Sequence, residues 1–376
     1  MTRVSIKCDP LKRKKSMERL KAYERKTYID RIPICFGVEA RYLLAQRGIG
    51  FLEYFESPES NFYHQIMNFK WRMENIEDDF LGCQEVRVFP DFQNTTTAGL
   101  FDETSIIWDD VQPPRVKPFI LTIQELRKCG IPDMDKGMAA RKRMYIQRMK
   151  ELAKDYIVEI NGEPVPIVVS MGWHETMMSG AIDMLGENLF LWMYEYPEDI
   201  KNFLNILTDA SILFEKTMRA VSGEKREGAD AIADGGEMLS ADMFKEFMVP
   251  CYLKFYNAFK GQRRGLHMCG KIDHLLGVLK DDLRITMLNG FGFSVNPENI
   301  ASIVGSAFFY SGGINPMLLW KGAMDDIKKE VLRYVEVLGR FGTYMMADGY
   351  NVVPGTSVET MNAIVAYPDE TGMPRR

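Results

Sequence analysis

The chain predicts an α/β fold, a (β/α)8 TIM barrel with an N-terminal helical extension. Three observations carry that prediction. Eight short apolar runs recur between residues 31 and 348, most of them closed by Gly or Asp. Stretches with helical periodicity separate them. No G-x-G-x-x-G follows the first run, as a doubly wound dinucleotide-binding sheet would require. A chain of 376 residues, 46% hydrophobic, is long enough to close one such barrel.

Residues 1–30 form the extension and 31–376 the barrel. In the extension Met17, Leu20 and Tyr23 recur at helical spacing, so an amphipathic helix lies on a larger body. Its Lys and Arg residues are diluted by Glu18 and Glu24, which favours a solvated face over a nucleic-acid signal. The first strand is Arg31-Ile32-Pro33-Ile34-Cys35-Phe36-Gly37, followed by Glu39, and the second is Glu85 to Asp91. A long irregular segment, 93–132, carries Pro113, Pro114, Pro118 and Pro132 and reads as a lid or an insertion.

A helix over 138–155 precedes the third strand, Val165 to Gly172, which delivers Trp173, His174 and Glu175. Helix then runs over 181–220, with Pro197-Glu198 starting a new turn. The fourth strand, 229–234, enters Gly235-Gly236-Glu237, and a helix opens at Ser240. Strands at 264–269, 285–289, 306–310 and 342–347 complete the count, with helical periodicity over 272–281, 297–304 and 324–338.

A net charge of −5 and a pI near 5.6 argue against a protein built to track nucleic acid. The six cysteines are scattered without a CxxC pair, which fits reduced thiols in the cytoplasm better than a disulfide scaffold. No apolar run is long enough for a membrane span.

Chemistry concentrates in Arg264-Gly265-Leu266-His267-Met268-Cys269-Gly270. On a strand, residues i and i+2 share a face, so His267 and Cys269 can serve one metal ion at the strand's C-terminal end. A buried Cys beside a hydrogen-bonded His is the plain structural alternative.

Several stretches resemble the uroporphyrinogen decarboxylase superfamily. They are Arg31 to Ile34, Asp230 to Asp234, Leu239 to Pro250, His267 to Gly270, Gly312 to Pro316 and Pro354-Gly355. The decarboxylase itself is the poorer match, because Phe36 to Tyr42 stands where its Arg-rich signature should be. His-x-Cys-Gly is similar to the zinc-dependent, corrinoid-linked methyltransferases of that superfamily. These include coenzyme M methylases and aryl-ether O-demethylases. That resemblance implies Zn2+ at His267 and Cys269. The coenzyme M branch adds a Cys after a late Pro-Gly, whereas here Thr356 follows Pro354-Gly355. Glu237 is the expected third ligand, since the loops after strands four and five meet, with Asp234 and Asp348 in reserve. Glu237 as the cap of the next helix, or as proton donor to a leaving oxygen, are its other readings.

Asp91 stands where the superfamily keeps a functional aspartate, and a loop Asx-turn is its structural alternative. Trp173, His174, Asn289, Tyr310 and Asp348 are expected to contact substrate. Phe291, Phe293 and Tyr350 are candidates, with Tyr310, for an aromatic wall. Asp273 to Gly277 is one residue short of the cobalamin-binding D-x-H-x-x-G, so the corrinoid is expected on a partner protein. The resemblance thus implies methyl transfer from a small-molecule donor, a methoxylated aromatic, to the Co(I) corrinoid of that partner. Methylation of a thiol from methyl-corrinoid, a metal-free decarboxylase-like lyase and a barrel that only binds are the alternatives. A homodimer is left open.

Overall fold

A computed structural model describes residues 1–349 and 351–371. Its strands are β1 (Thr2–Ile6), β2 (Val86–Val88), β3 (Ile106–Ile107), β4 (Arg115–Val116), β5 (Tyr156–Ile160) and β6 (Glu163–Val165). β7 (Ile167–Val169), β8 (Ala229–Ile232), β9 (Arg264–His267), β10 (Met287–Phe291), β11 (Phe309–Ile314) and β12 (Tyr344–Asp348) follow.

The barrel is confirmed. β8, β9, β10, β11 and β12 form one parallel sheet in sequential order, and β2 pairs in parallel with β7. The first barrel strand contributes a parallel bridge from Ile34 to Met346 of β12, which sets it beside the last strand. Among the described residues no backbone ladder joins β7 to β8. The Thr176 hydroxyl spans that split instead, donating to the Ile232 carbonyl at 2.5 Å and accepting from its N–H at 3.1 Å.

The extension is more than a helix. β1 pairs in parallel with β5, which turns back through Asn161-Gly162 into β6. Both turn residues have positive φ, 53° and 87°, as a tight hairpin with the right-handed strand twist demands. The helix Pro10–Glu24 is capped by Asp9, whose carboxylate accepts from Leu11 and Lys12 N–H. Its basic residues are not all solvated. Arg19 is buried between Asp30 and Asp79, and Arg13 donates to the carbonyls of Leu81 and Cys83. These charge-assisted bonds moor the extension to the barrel.

Three other expectations change. The seventh strand begins at Phe309 and runs through Ser311-Gly312-Gly313, because the glycines stay in the ladder with β12 rather than ending it. The segment 93–132 holds the helix Thr96–Phe101, the antiparallel pair β3 and β4, and a capping-box turn of helix at Ile123–Leu126. The predicted helix over 181–220 is three helices, Met177–Leu185, Asn188–Glu195 and Pro197–Ser222, with Pro197 at the first turn of the last. Among the described residues no helix is long and apolar enough to cross a membrane.

Candidate metal centre at the barrel mouth

β9 ends at His267, and the extended alternation carries on to Cys269 before Gly270 turns the chain at φ +95°. β8 lies beside it in parallel register, with Ile232 opposite His267. Asp230, Ile232 and Asp234 therefore face one side of β8, and Asp234 arrives at the level of the His-x-Cys pair. Its Oδ1 accepts from Cys269 N–H at 3.0 Å and lies 3.0 Å from Cys269 Sγ, while Oδ2 lies 3.5 Å from His267 Nε2. One ligand atom from each residue fits within 4.8 Å of the others.

The electrostatics follow from that packing. Burial opposes charge on His267, but the Asp234 carboxylate and Cys269 overcome it and push the imidazole up to about 10. Asp234 is held below the ordinary carboxylate range: burial works against this, and His267 and Cys269 outweigh it. A metal ion would replace the proton on His267. One oxygen, one nitrogen and one sulfur donor, with room for a further ligand, can hold such an ion.

The structure corrects the expected third ligand. Gly235 adopts φ +90° and starts the short turn Gly236–Met238, which lifts Glu237 out of the strand alternation. Glu237 instead packs over the next loop: a Cβ at Gly270 would lie 2.6 Å from its Cγ. Among the described residues the group that could hold a metal ion is Asp234, His267 and Cys269, and Glu237 is not part of it. Asp348, the other reserve, is buried and accepts from Gly37 N–H at 2.6 Å, so it joins the ends of the first and last strands.

A cavity of about 540 Å³ opens beside the cluster. Asp91, Trp173, His174 and Asn289 line it. Asp91 accepts from Tyr54 Oη at 2.8 Å and from Gln93 N at 2.9 Å, and its burial pushes the carboxyl up. Asn289 sits opposite His267 in the β10 register and accepts from Ser311 Oγ at 2.9 Å. The His174 ring packs edge-to-face on Phe214, and burial drives it down to about 3, so it is neutral. Glu175 is buried beside it and accepts from Thr97 N–H at 2.9 Å, with its carboxyl pushed up to about 7 by burial.

The aromatic wall is largely absent. Tyr310 is fully buried and stacks on Tyr344 at 5.7 Å, and Phe291 joins the same core. Tyr310 sits opposite Leu288 on the outward face, and the register shift between Asn289 and Phe291 carries Phe291 to that face opposite Gly312. Phe293 is exposed at the rim, beside Asn315 and Glu330, and Tyr350 lies outside the described residues.

Glu39, in the cavity wall, and Lys142, buried behind Trp173, went unassigned in the sequence. Glu39 follows the first strand and faces the cavity. Burial pushes its carboxyl up, and it feels the charges of Arg72 and His267, which lower it, and of Asp91, which raises it. The signal was its position just past a strand end. Lys142 is 1% exposed and donates to Thr96 Oγ1 at 3.2 Å and to the Trp173 carbonyl at 3.3 Å. No spacing announces it, because it is buried from the helix Gly137–Leu152 through contacts with distant segments.

Fold and site together define a (β/α)8 barrel with its polar groups gathered at the C-terminal ends of the strands, where this architecture keeps its chemistry. The chain belongs to the uroporphyrinogen decarboxylase (URO-D) family, whose model matches residues 96–370. It is similar to the methylcobamide:CoM methyltransferase MtaA of Methanosarcina barkeri, 28% identical over 217 residues, which is 56% of this chain and 59% of that protein. The counterpart from Methanosarcina barkeri strain Fusaro / DSM 804 matches to the same extent. The chain thus covers 59% of the length of these relatives. A methyltransferase from Methanosarcina mazei shares the fold with a TM-score of 0.68 at 20% identity, covering 95% of this chain and 99% of that one.

Proposed function

We propose that the chain is a zinc-dependent methyltransferase of a corrinoid system, moving methyl from a methoxylated aromatic donor to the Co(I) corrinoid of a separate protein. The observation that carries this is the Asp234, His267 and Cys269 cluster. Its donor chemistry suits zinc, and a carboxylate in place of a second thiolate makes the set harder and better matched to an oxygen ligand. Zinc held there would supply Lewis acidity to the ether oxygen, a contribution of several kcal/mol in the transition state.

The chain's own residues do the rest. Trp173 offers a flat wall for an arene, and Asn289 an amide beside the donor oxygen. The carboxyls of Glu39 and Asp91 face the same cavity, and burial favours their protonated forms. Either can hold the proton that the departing oxygen takes up. The balance is complete: the methyl C–O bond breaks, oxygen keeps the electron pair and gains a proton, and Co(I) supplies the pair for the new C–Co bond.

A second reading, methylation of a thiol from methyl-corrinoid, is supported by the similarity to relatives named for that reaction. The assay that separates the two is a panel of methoxyarenes, methylamines, methanol and thiols with the corrinoid partner. Growth of the methyl-Co(III) spectrum with release of a phenol is expected, and no turnover without corrinoid. Methylation of a thiol alone, or demethylation of an amine alone, would refute the aryl-ether assignment.

A further inference from the structure

The cavity does not stop at the metal cluster. The parallel registers sort the inward side chains of β8, β9 and β10 into levels. Asp230, Gly265 and Met287 share the lowest, and Ile232, His267 and Asn289 the next. Barrels of this class usually fill such levels with bulky branched side chains. Here the lowest level holds an acid and a glycine, and the cavity continues past it to Arg263 at the N-terminal end. Gly265 is what admits the acid: a Cβ there would lie 1.9 Å from Asp230 Oδ1. Asp230 is held by Arg226 Nη1 at 2.8 Å and Arg263 Nε at 2.9 Å.

The split between β7 and β8 lets the cavity spread sideways to the helix Pro197–Ser222. Glu215, on that helix, takes Arg226 Nη2 at 3.0 Å and an Arg219 bond on Oε1. Its Oε2 is buried without a hydrogen-bond partner, and so are His174 Nε2 and Arg219 Nε. Glu215 is 0% exposed and His174 3%. Side chains that merely sealed the barrel floor would satisfy one another. These do not, and buried polar groups left over in this way are met by ordered water.

We propose that the lower half of the cavity is a water-filled proton route, entering at Arg263, Asp230 and Arg226 and passing His174 and Glu215 to the level of the metal cluster. Its use in catalysis rests on the methyl-transfer reading above. A donor and a corrinoid-bearing protein must both approach from the C-terminal mouth, yet the oxygen freed by C–O cleavage needs a proton. In the thiol reading the same route carries the thiol proton away. A path from the opposite end serves either direction without opening the mouth.

The test has a structural and a kinetic half. A high-resolution crystal structure of the full chain should show ordered waters on Glu215 Oε2, His174 Nε2 and Arg219 Nε. A dry, directly paired cluster would overturn the proposal. His174→Phe should fold normally, since the neutral ring already packs on Phe214 and Phe255. It should lower kcat for methyl transfer about tenfold or more, as loss of a proton-transfer group does, with metal content and thermal stability unchanged. His174→Gln, which keeps a polar atom in place, should restore most of the rate. Waters present with an unchanged rate in His174→Phe would overturn the route. If no donor or thiol reacts with wild-type protein, the reaction reading falls, while waters at these three atoms would still establish the water-filled route.

Discussion

Lys142 offers the sharpest quantitative prediction. It lies on the helix Gly137–Leu152 with its ammonium buried among Thr96 Oγ1, the Trp173 carbonyl, and the charges of Glu175 and Asp91. Burial pushes it down from 10.5 to about 8, and the two carboxylates recover only part of the cost. Below pH 8 the group is charged in both folded and unfolded chains, and the folded state carries the full penalty. Between about 8 and 10.5 the folded chain has released the proton while the unfolded chain still binds it. Unfolding then takes up a proton, so stability must rise with pH across this window. The full gain is about 3 kcal/mol, most of it reached by about pH 10.

Other groups titrate there too: the thiol of Cys83, pushed up to about 11 by burial, lowers stability as pH rises above its ordinary 9.0. Lys142→Met removes the ammonium and keeps the length of the side chain, so the difference between wild type and variant isolates Lys142. Urea unfolding of both proteins at pH 7 and near pH 10 measures it. The wild type should gain about 3 kcal/mol on the variant over that interval. Loss of the cation also leaves Glu175 harder to ionise in the variant, which moves the difference the same way. A flat or falling difference would refute the burial argument.

Two further outcomes are expected from the site and the barrel wall. Metal-replete protein should hold one zinc per chain, lost on His267→Ala, Cys269→Ser or Asp234→Ala and retained on Glu237→Gln; elemental analysis decides, and full occupancy in the Asp234 variant would sink this ligand set. A metal-free lyase or a barrel that only binds would hold no zinc in any form. Thr176→Val keeps the shape of the side chain but removes both bonds across the β7 and β8 split, so denaturation should report a loss of about 1–3 kcal/mol. Unchanged stability would mean that other contacts hold the split closed.

The eight barrel strands were legible because each is a short apolar run bounded by Gly or Asp, and strand identity is a local property. β1 was not, because a strand of Thr2–Ile6 gains its stability from pairing with Tyr156–Ile160, far along the chain. The misplaced end of the seventh strand has a similar cause: Gly312 and Gly313 read as a turn, yet pairing with β12 holds both in the ladder.

In the site, the His-x-Cys pair declared itself by a spacing that any strand converts into a shared face. Asp234 shares a face with 230 and 232 by the same rule, yet alternation alone did not rank it above Glu237. Glu237 drew attention away because a double glycine does not reveal which way it will turn the chain. Tyr310 was misassigned for a related reason: alternation says which residues share a face, not which face is the cavity.

What the sequence determined by itself was therefore the barrel, its order of elements and two of the three cluster residues, all of which depend on periods of a few residues. The tertiary structure decided the third member, the inward turn of Glu39 and Lys142, and the polar floor beneath the cluster. Those depend on inter-strand register, on one glycine-directed turn and on which charges are buried together, and they arise only when distant segments are brought within a few ångströms of one another.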